Sequence, residues 1–343
     1  MSRKLAGLLL GLGISALAFW WALPPDGLDS LPGFLASARV GTLALAVLVA
    51  TLTFPLRALR WRVLLRAEVG ERVPMGAVWH ATAIGFMANN ILPFRLGEVI
   101  RAFAVGRLGG PRFPAAIASV AVERVFDALT VVGLFAFVLT GQGLPTEMTI
   151  GGKPAAELVR IIGIAGLAVL VAAAGAAFFP DAAERWLRRV VPWPKLADKL
   201  VAPLRGFAHG LQVLHDPKRI LLIALGSLAF WLVNAWSFAL ALQAFGLPSD
   251  LGTAILVQTC VVFGVALPST PGFIGVFEGG FKAAALLLGL PLDAVFAAAF
   301  TYHVLSFIPI TLLGAWSLSR TGLKLGELRT ATPPPERRSA AAP

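Results

Sequence analysis

Long apolar runs dominate the chain, and short polar or broken stretches separate them. Leu5 to Leu23, Val40 to Leu56, Ala115 to Thr140, Val159 to Phe179, Ile220 to Phe245 and Val295 to Leu318 are the continuous runs. Each comes close to or exceeds the about 20 apolar residues that a bilayer-spanning helix needs. Two further runs are interrupted. Met75 to Leu92 meets Leu92-Pro93-Phe94-Arg95-Leu96-Gly97-Glu98 and resumes over Val99 to Leu108. Thr253 to Leu267 meets Leu267-Pro268-Ser269-Thr270-Pro271-Gly272 and resumes over Gly275 to Leu290. Both breaks read Leu-Pro-x-x-x-Gly. Pro93, Pro268 and Pro271 each remove a backbone donor, and Gly97 and Gly272 loosen the helix. Lipid cannot satisfy the freed backbone groups, so such breaks belong inside protein or along a wet cavity. Matching breaks in two halves of a membrane chain point to a transport site near mid-membrane.

The segments between the runs complete the pattern. Residues 24–39 and 141–157 read as loops. Residues 180–219 form a basic connector in which Leu196, Leu200, Leu204, Phe207, Leu211 and Leu214 recur at helical spacing. That spacing predicts an amphipathic helix lying on the bilayer or under the bundle. Residues 321–343, with Pro333-Pro334-Pro335 and Arg337-Arg338, read as a disordered cytoplasmic tail.

The basic residues set an expected topology. The N-terminal pair, residues 57–72, the 180–219 connector and residues 320–343 hold most of the 29 lysines and arginines. The opposite loops carry Arg39, Lys153 and Arg160. By the positive-inside rule both termini are expected to be cytoplasmic, in the inner membrane. This orientation makes residues 75–112 enter and leave on the cytoplasmic side, and residues 253–291 on the other. The expected fold is therefore all-α, a polytopic helical membrane protein of two inverted repeats, each with a broken re-entrant hairpin. Repeat one covers about residues 1–140 and repeat two about 159–320, within one membrane domain of residues 1–320.

Composition agrees with that class. Of 343 residues, 57% are hydrophobic and 14% charged, against about 25% charged in a soluble domain. The runs do not alternate, which argues against an outer-membrane barrel. A cleaved signal peptide is a weaker reading of the first run, because no small-x-small site follows it cleanly. The net charge of +11 flanks apolar spans, so it fits anionic lipid and topology and not nucleic acid. The single cysteine, Cys260, excludes an intramolecular disulfide, and the four histidines show no metal-ligand spacing. No cofactor or metal is expected. No Gly-x-x-x-x-Gly-Lys-Ser/Thr motif is present, so ATP is not the direct drive.

The candidate chemistry lies in charges within or beside apolar runs: Arg95, Glu98, Arg101, Glu123, Arg124, Asp127, Glu278 and Lys282. Each would cost about 2.5–3.5 kcal/mol at the bilayer centre even on the lenient scale, so they must pair or line water. On a helix, Glu98 can pair with Arg101 and Glu278 with Lys282, while Glu123 and Asp127 share a face beside Arg124. A polar cavity follows, in which arginines hold a phosphate and the carboxylates balance charge or carry protons. Helix N-termini after Gly97 and Gly272 would favour the same anion. Asn89, Asn90 and Thr270 complete the expected substrate contacts. Arg57, Arg60 and Arg62 read first as topology anchors. His303 reads first as a helix–helix hydrogen bond and second as a proton relay. Trp231 and Trp236 read as packing or belt residues.

Four motifs in order resemble the lysylphosphatidylglycerol synthase transmembrane family. They are Arg57-Ala-Leu-Arg60-Trp61; Asn89-Asn90-x-x-Pro93-Phe94-Arg95-x-Gly97-Glu98-x-x-Arg101; Glu123-Arg124-x-x-Asp127; and Pro268-Ser-Thr-Pro271-Gly272-x-x-Gly275-x-x-Glu278. The resemblance covers about residues 5–320. It implies a helical bundle with re-entrant segments and a role in lipid translocation. Two-part members of that family add a synthase domain. Here only a short tail follows, so aminoacylation of lipid is not expected.

The expected function is flipping or scrambling of a lipid with an anionic phosphate head group, without catalysis. Membrane lipids are the expected partners. A homo-oligomer, or an enzyme that makes lipid or glycan and uses this chain as a scaffold, stays open. An intramembrane lipid-modifying enzyme is the weaker alternative, since no nucleophile has an evident base.

Overall fold

A computed structural model describes residues 3–69, 73–92, 96–141, 149–150, 153–154, 180–191, 217–267 and 269–323, with isolated positions between 157 and 193. Pro93, Arg95, Pro268, most of the run Val159 to Phe179, the 196–214 stretch and the tail beyond 323 lie outside the described residues.

Helices make up the fold: α1 (Arg3–Ala22), α2 (Gly27–Ser37), α3 (Val40–Val69), α4 (Met75–Ile91), α5 (Gly97–Arg107) and α6 (Phe113–Gly141) lead. A two-residue hairpin follows, β1 (Thr149–Ile150) paired antiparallel with β2 (Lys153–Pro154). Then come α7 (Pro180–Val190), α8 (Pro217–Ala244), α9 (Leu251–Ala266), α10 (Val276–Leu288) and α11 (Leu292–Thr321). Among the described residues, four stretches are long and apolar enough to cross a membrane: Val40–Leu65, Lys218–Ala244, Pro271–Leu288 and Leu292–Thr321. The all-α, polytopic architecture expected from the apolar runs is what the chain adopts.

Two expectations change. Residues 24–39 are not a loop: Gly27–Ser37 form α2, which packs on α11 and places Phe34 against the core, while Leu28 and Leu35 stay exposed. The second run does not end at Leu56. Arginine is a good helix former, so the 30-residue α3 runs through Pro55 to Val69 and carries Arg57, Arg60 and Arg62 on the helix.

The interrupted runs are helical hairpins. α4 folds back on α5, and α9 folds back on α10. Glycines allow each close approach. A Cβ on Gly85 would meet Arg101 Cβ at 2.7 Å and the Gly97 carbonyl at 2.8 Å. One on Gly264 would meet the Val276 carbonyl at 2.6 Å, and Gly280 sits against the Val261 backbone. Small residues substitute here for the hydrophobic drive that lipid removes. The second break also abuts the end of α4: a Cβ on Gly272 would lie 3.5 Å from the Asn90 carbonyl.

Two apolar clusters flank the hairpins. Trp61, Leu65, Val78, Val105 and Ile223 belong to the first, and Leu242, Leu256, Phe281, Ala298 and Tyr302 to the second.

Candidate functional site

Arg60, Arg101, Glu123 and Asp127 form one buried network, joined by side chains of α8. α3 holds Arg60 and α6 holds Glu123 and Asp127 one turn apart. Arg60 Nη1 donates to Asp127 Oδ1 at 2.6 Å and to Ser227 Oγ on α8 at 2.9 Å. Its Nη2 donates to Glu123 Oε1 at 2.7 Å. Arg101 on α5 donates to the other Glu123 oxygen at 2.6 Å and lies 4.4 Å over the Trp61 ring. Trp231 Nε1 on α8 donates to Asp127 Oδ1 at 3.1 Å. Glu123 is fully buried and receives two guanidiniums, so its charge is met inside the protein. Breaking such a pair costs about 3–5 kcal/mol because the survivor stays buried and uncompensated.

Arg124 is held more loosely. It lies 3.6 Å from Glu98, 3.7 Å from Glu123 and 3.5 Å from Asp127, with its side chain 37% exposed. Arg57 is different again. Its guanidinium lies 4.1 Å over Phe230 and 4.7 Å over Phe86, and among the described residues it makes no ion pair.

These groups border a cavity of about 530 Å³. Arg57 from α3, Asn89, Asn90, Glu98 and Arg101 from the first hairpin, and Arg124 and Asp127 from α6 line its charged part. Trp231, Asn234, Phe273, Phe277, Tyr302 and Ser306 line the rest. Arg101 Nε and Nη1, Arg124 Nε and Asp127 Oδ2 are buried atoms without a hydrogen bond among the described residues. Phe273 adopts φ 61° at the second break, a conformation that a bulky residue rarely holds.

The breaks are pinned by local bonds. The Asn89 side-chain oxygen accepts from the Gly97 N–H at 2.9 Å, supplying a partner for the first turn of α5. Asn90 donates to Thr311 on α11 at 2.8 Å. At the second break, Gly275 turns with φ 88°, and Glu278 reaches back to accept its N–H at 2.7 Å. The Thr270 N–H donates to Ser15 on α1 at 2.8 Å.

The sequence-based pairs are rearranged. Glu98 does not pair with Arg101; it faces Arg124, while Arg101 turns to Glu123. Glu278 does not pair with Lys282; its other oxygen bonds His303 Nδ1 at 2.7 Å, and the His303 ring stacks on Phe277. Lys282 instead donates to the Trp21 carbonyl and sits 5.2 Å over the Trp21 ring. Arg101–Glu123 at 2.6 Å and Glu278–His303 at 2.7 Å are short, enclosed contacts between helices, whereas Glu98–Arg124 is a longer, part-exposed one at 3.6 Å. Asn89, Asn90, Glu98, Arg101, Arg124 and Asp127 share the cavity, Glu123 lies behind it, and Glu278, Lys282 and Thr270 lie off its lining. Arg57 and Arg60 are the residues sequence reasoning set aside as anchors. The available signal was their one-turn spacing upstream of Trp61 within an unbroken helix. Among the described residues, no three of His, Cys, Asp and Glu are grouped as a metal site.

The lysylphosphatidylglycerol synthase TM region matches residues 8–314. Among curated proteins, the chain is 28% identical to the glycosyltransferase AglD of Haloferax volcanii over 331 residues, covering 89% of this chain and 52% of AglD. It thus spans about half the length of that relative. It is also similar to two UPF0104 membrane proteins of Methanothermobacter thermautotrophicus. One is 24% identical over 79% of this chain and 81% of the relative. The other is 23% identical over 93% and 96%.

Proposed function

The chain belongs to the lysylphosphatidylglycerol synthase transmembrane family, and on that premise we propose that it moves a lipid with an anionic phosphate head group between the two leaflets. The observation that carries this reading is the cavity of about 530 Å³ between two interrupted helical hairpins, bordered by the guanidiniums of Arg101 and Arg124, whose Arg101 Nε and Nη1 and Arg124 Nε have no hydrogen bond among the described residues. The head group would cross through this polar space while the acyl or prenyl tails stay in lipid. Arg101 and Arg124 would meet the phosphate, Glu98 and Asp127 would balance charge, and Asn89 and Asn90 would hold the first break open to the cavity. In this reading the protein performs no bond chemistry, and the two hairpins belong to inverted repeats that approach the cavity from opposite surfaces.

Proteoliposomes test it. Purified protein is reconstituted with labelled anionic, zwitterionic and polyprenyl-linked lipids, with and without a proton gradient. Wild type should move the anionic class, and Arg124→Ala should slow it about 10–100-fold, the loss expected for a charged hydrogen bond. No movement of any lipid by folded protein would overturn the reading.

The name of AglD favours a second reading, in which the chain is a membrane partner of a lipid- or glycan-synthesising enzyme. Failure of transport together with loss of a partner enzyme's activity on deletion of the gene would favour it.

A further inference from the structure

One buried titratable pair stands apart from the arginine network. We infer that Glu278 and His303 form a proton-binding site at the second break, and that its occupancy is linked to an anion in the cavity. Glu278 lies in the first turn of α10 and His303 on α11, with side chains 2% and 11% exposed. Glu278 Oε2 accepts the Gly275 N–H at 2.7 Å, where the chain turns with φ 88°. Its Oε1 meets His303 Nδ1 at 2.7 Å. With the carboxylate ionised both oxygens accept, so Nδ1 carries the ring hydrogen. The His303 ring stacks on Phe277 at 4.1 Å between centroids. Phe277, Tyr302 and Ser306, neighbours of the pair along the two helices, line the cavity.

A proton entering the pair goes to His303 Nε2. The pair then changes from a carboxylate beside a neutral imidazole, with one negative charge, to a carboxylate–imidazolium pair with none. That change of one charge belongs to the pair itself, whatever other charges lie near. Intramembrane Glu and His residues mark proton relays in pumps and transporters. An anion in the cavity disfavours the charged form of the pair and so draws in the proton. By reciprocity the proton tightens the anion. Other titratable groups sit on the same helices and on those packed against them. Lys282 is held by the Trp21 carbonyl of α1, and Tyr302 bonds Ser237 on α8. α9 brings the Cys260 thiol, and α4 brings His80 against Trp316. α3 brings Arg57 over its two rings and Arg60 to Glu123 and Asp127. Arg3 and Lys4 begin α1, Asp29 lies in the first turn of α2, and Lys218 and Arg219 begin α8. Asp250 caps α9 at the end away from the break, and Asp293 and Arg320 lie at the two ends of α11.

The linkage rests on the lipid-transport reading for its anion, and the proton site does not, so the two are measured separately. In detergent, the full chain with 15N-labelled histidine is titrated by NMR from about pH 8 to about pH 5, the range in which histidine ordinarily changes charge. The His303 ring signals, identified by their loss in His303→Asn, should titrate, and Glu278→Gln should displace that transition. In proteoliposomes, wild type should move labelled anionic lipid about 5–20-fold faster at the acid end of that range, a modest coupling between two sites. Glu278→Gln keeps both hydrogen bonds, its amide oxygen accepting from Gly275 and its amide N–H donating to Nδ1. A purely structural pair would therefore keep the wild-type pH dependence in that variant, whereas a proton site loses most of it. His303→Asn should lose it too. A His303 ring that does not titrate in this range, or a pH dependence undiminished in folded Glu278→Gln and His303→Asn, would overturn the inference. A displacement of the His303 transition by Arg95→Gln as large as that by Glu278→Gln would hand control to the first break and overturn it as well. Titration of His303 under the control of Glu278, with no lipid movement, would keep the proton site and overturn the transport reading. Lipid movement beside a silent His303 would do the reverse.

Discussion

Arg60 shows how one side chain can hold a membrane site together. It joins α3 to α6 through two carboxylates and to α8 through Ser227. Replacing it with alanine leaves Asp127 without its shortest partner and removes one of the two guanidiniums on Glu123. Arg60→Ala is expected to lose about 3–5 kcal/mol of stability, read as a large drop in thermal unfolding temperature in detergent. At the other end of the scale sits Asp250, the N-cap of α9, outside the membrane-spanning stretches. Burial opposes its ionisation, but hydrogen bonds from the Thr253 hydroxyl and N–H outweigh that and hold its carboxyl below the ordinary value. Because the folded value is depressed, its contribution is present above the unfolded carboxylate pKa of about 3.9 and is lost as pH falls through the folded one. Asp250→Ala should cost about 0.5–2 kcal/mol at neutral pH, and the difference from wild type should vanish in acid. A loss that persists unchanged at low pH would show that the cap is not electrostatic.

At the scale of elements, each hairpin closes on a glycine contact. Gly85 faces Gly97 and Arg101 in the first, and Gly264 and Gly280 face backbone of the opposite helix in the second. Gly85→Val is expected to push α4 off α5, displace Arg101 from Glu123, and cost about 1–3 kcal/mol from overpacking. Gly280→Val should do the same to α9 and α10 while leaving the arginine network intact. Thermal stability together with lipid movement in proteoliposomes separates the two: both variants are expected to lose stability, and the first to slow movement more. The runs that become these hairpins were legible from apolar length and the Leu-Pro-x-x-x-Gly breaks. The glycine contacts were not, because a lone glycine in an apolar run looks the same whether it meets lipid or backbone.

For the whole molecule, the paired breaks and the distribution of lysine and arginine lead to a testable topology. In a Cys260→Ala background, a cysteine at Lys153 should react with a membrane-impermeant thiol reagent added to intact spheroplasts. One at Ser339 should react only after lysis. The opposite pattern would reverse the proposed orientation, and equal labelling of both on intact spheroplasts would place the β1–β2 loop and the tail on one side.

The sequence by itself determined the class of molecule, the place of most helices, the two breaks and most of the charges that must be satisfied, though not Arg60. Those follow from local rules: apolar length against bilayer thickness, the missing donor of proline, and the cost of a charge in lipid. It also marked Glu123 and Asp127 as one face, since that depends only on helical spacing. Partner choice was decided by tertiary structure alone. Glu98 went to Arg124, Arg101 to Glu123 and Glu278 to His303 because helices far apart in sequence pack side by side. The same packing drew Arg60 into the network and left Arg57 over two rings, with no ion pair among the described residues. A burial penalty is paid in three dimensions, so the identity of each counter-charge is fixed only when the helices meet.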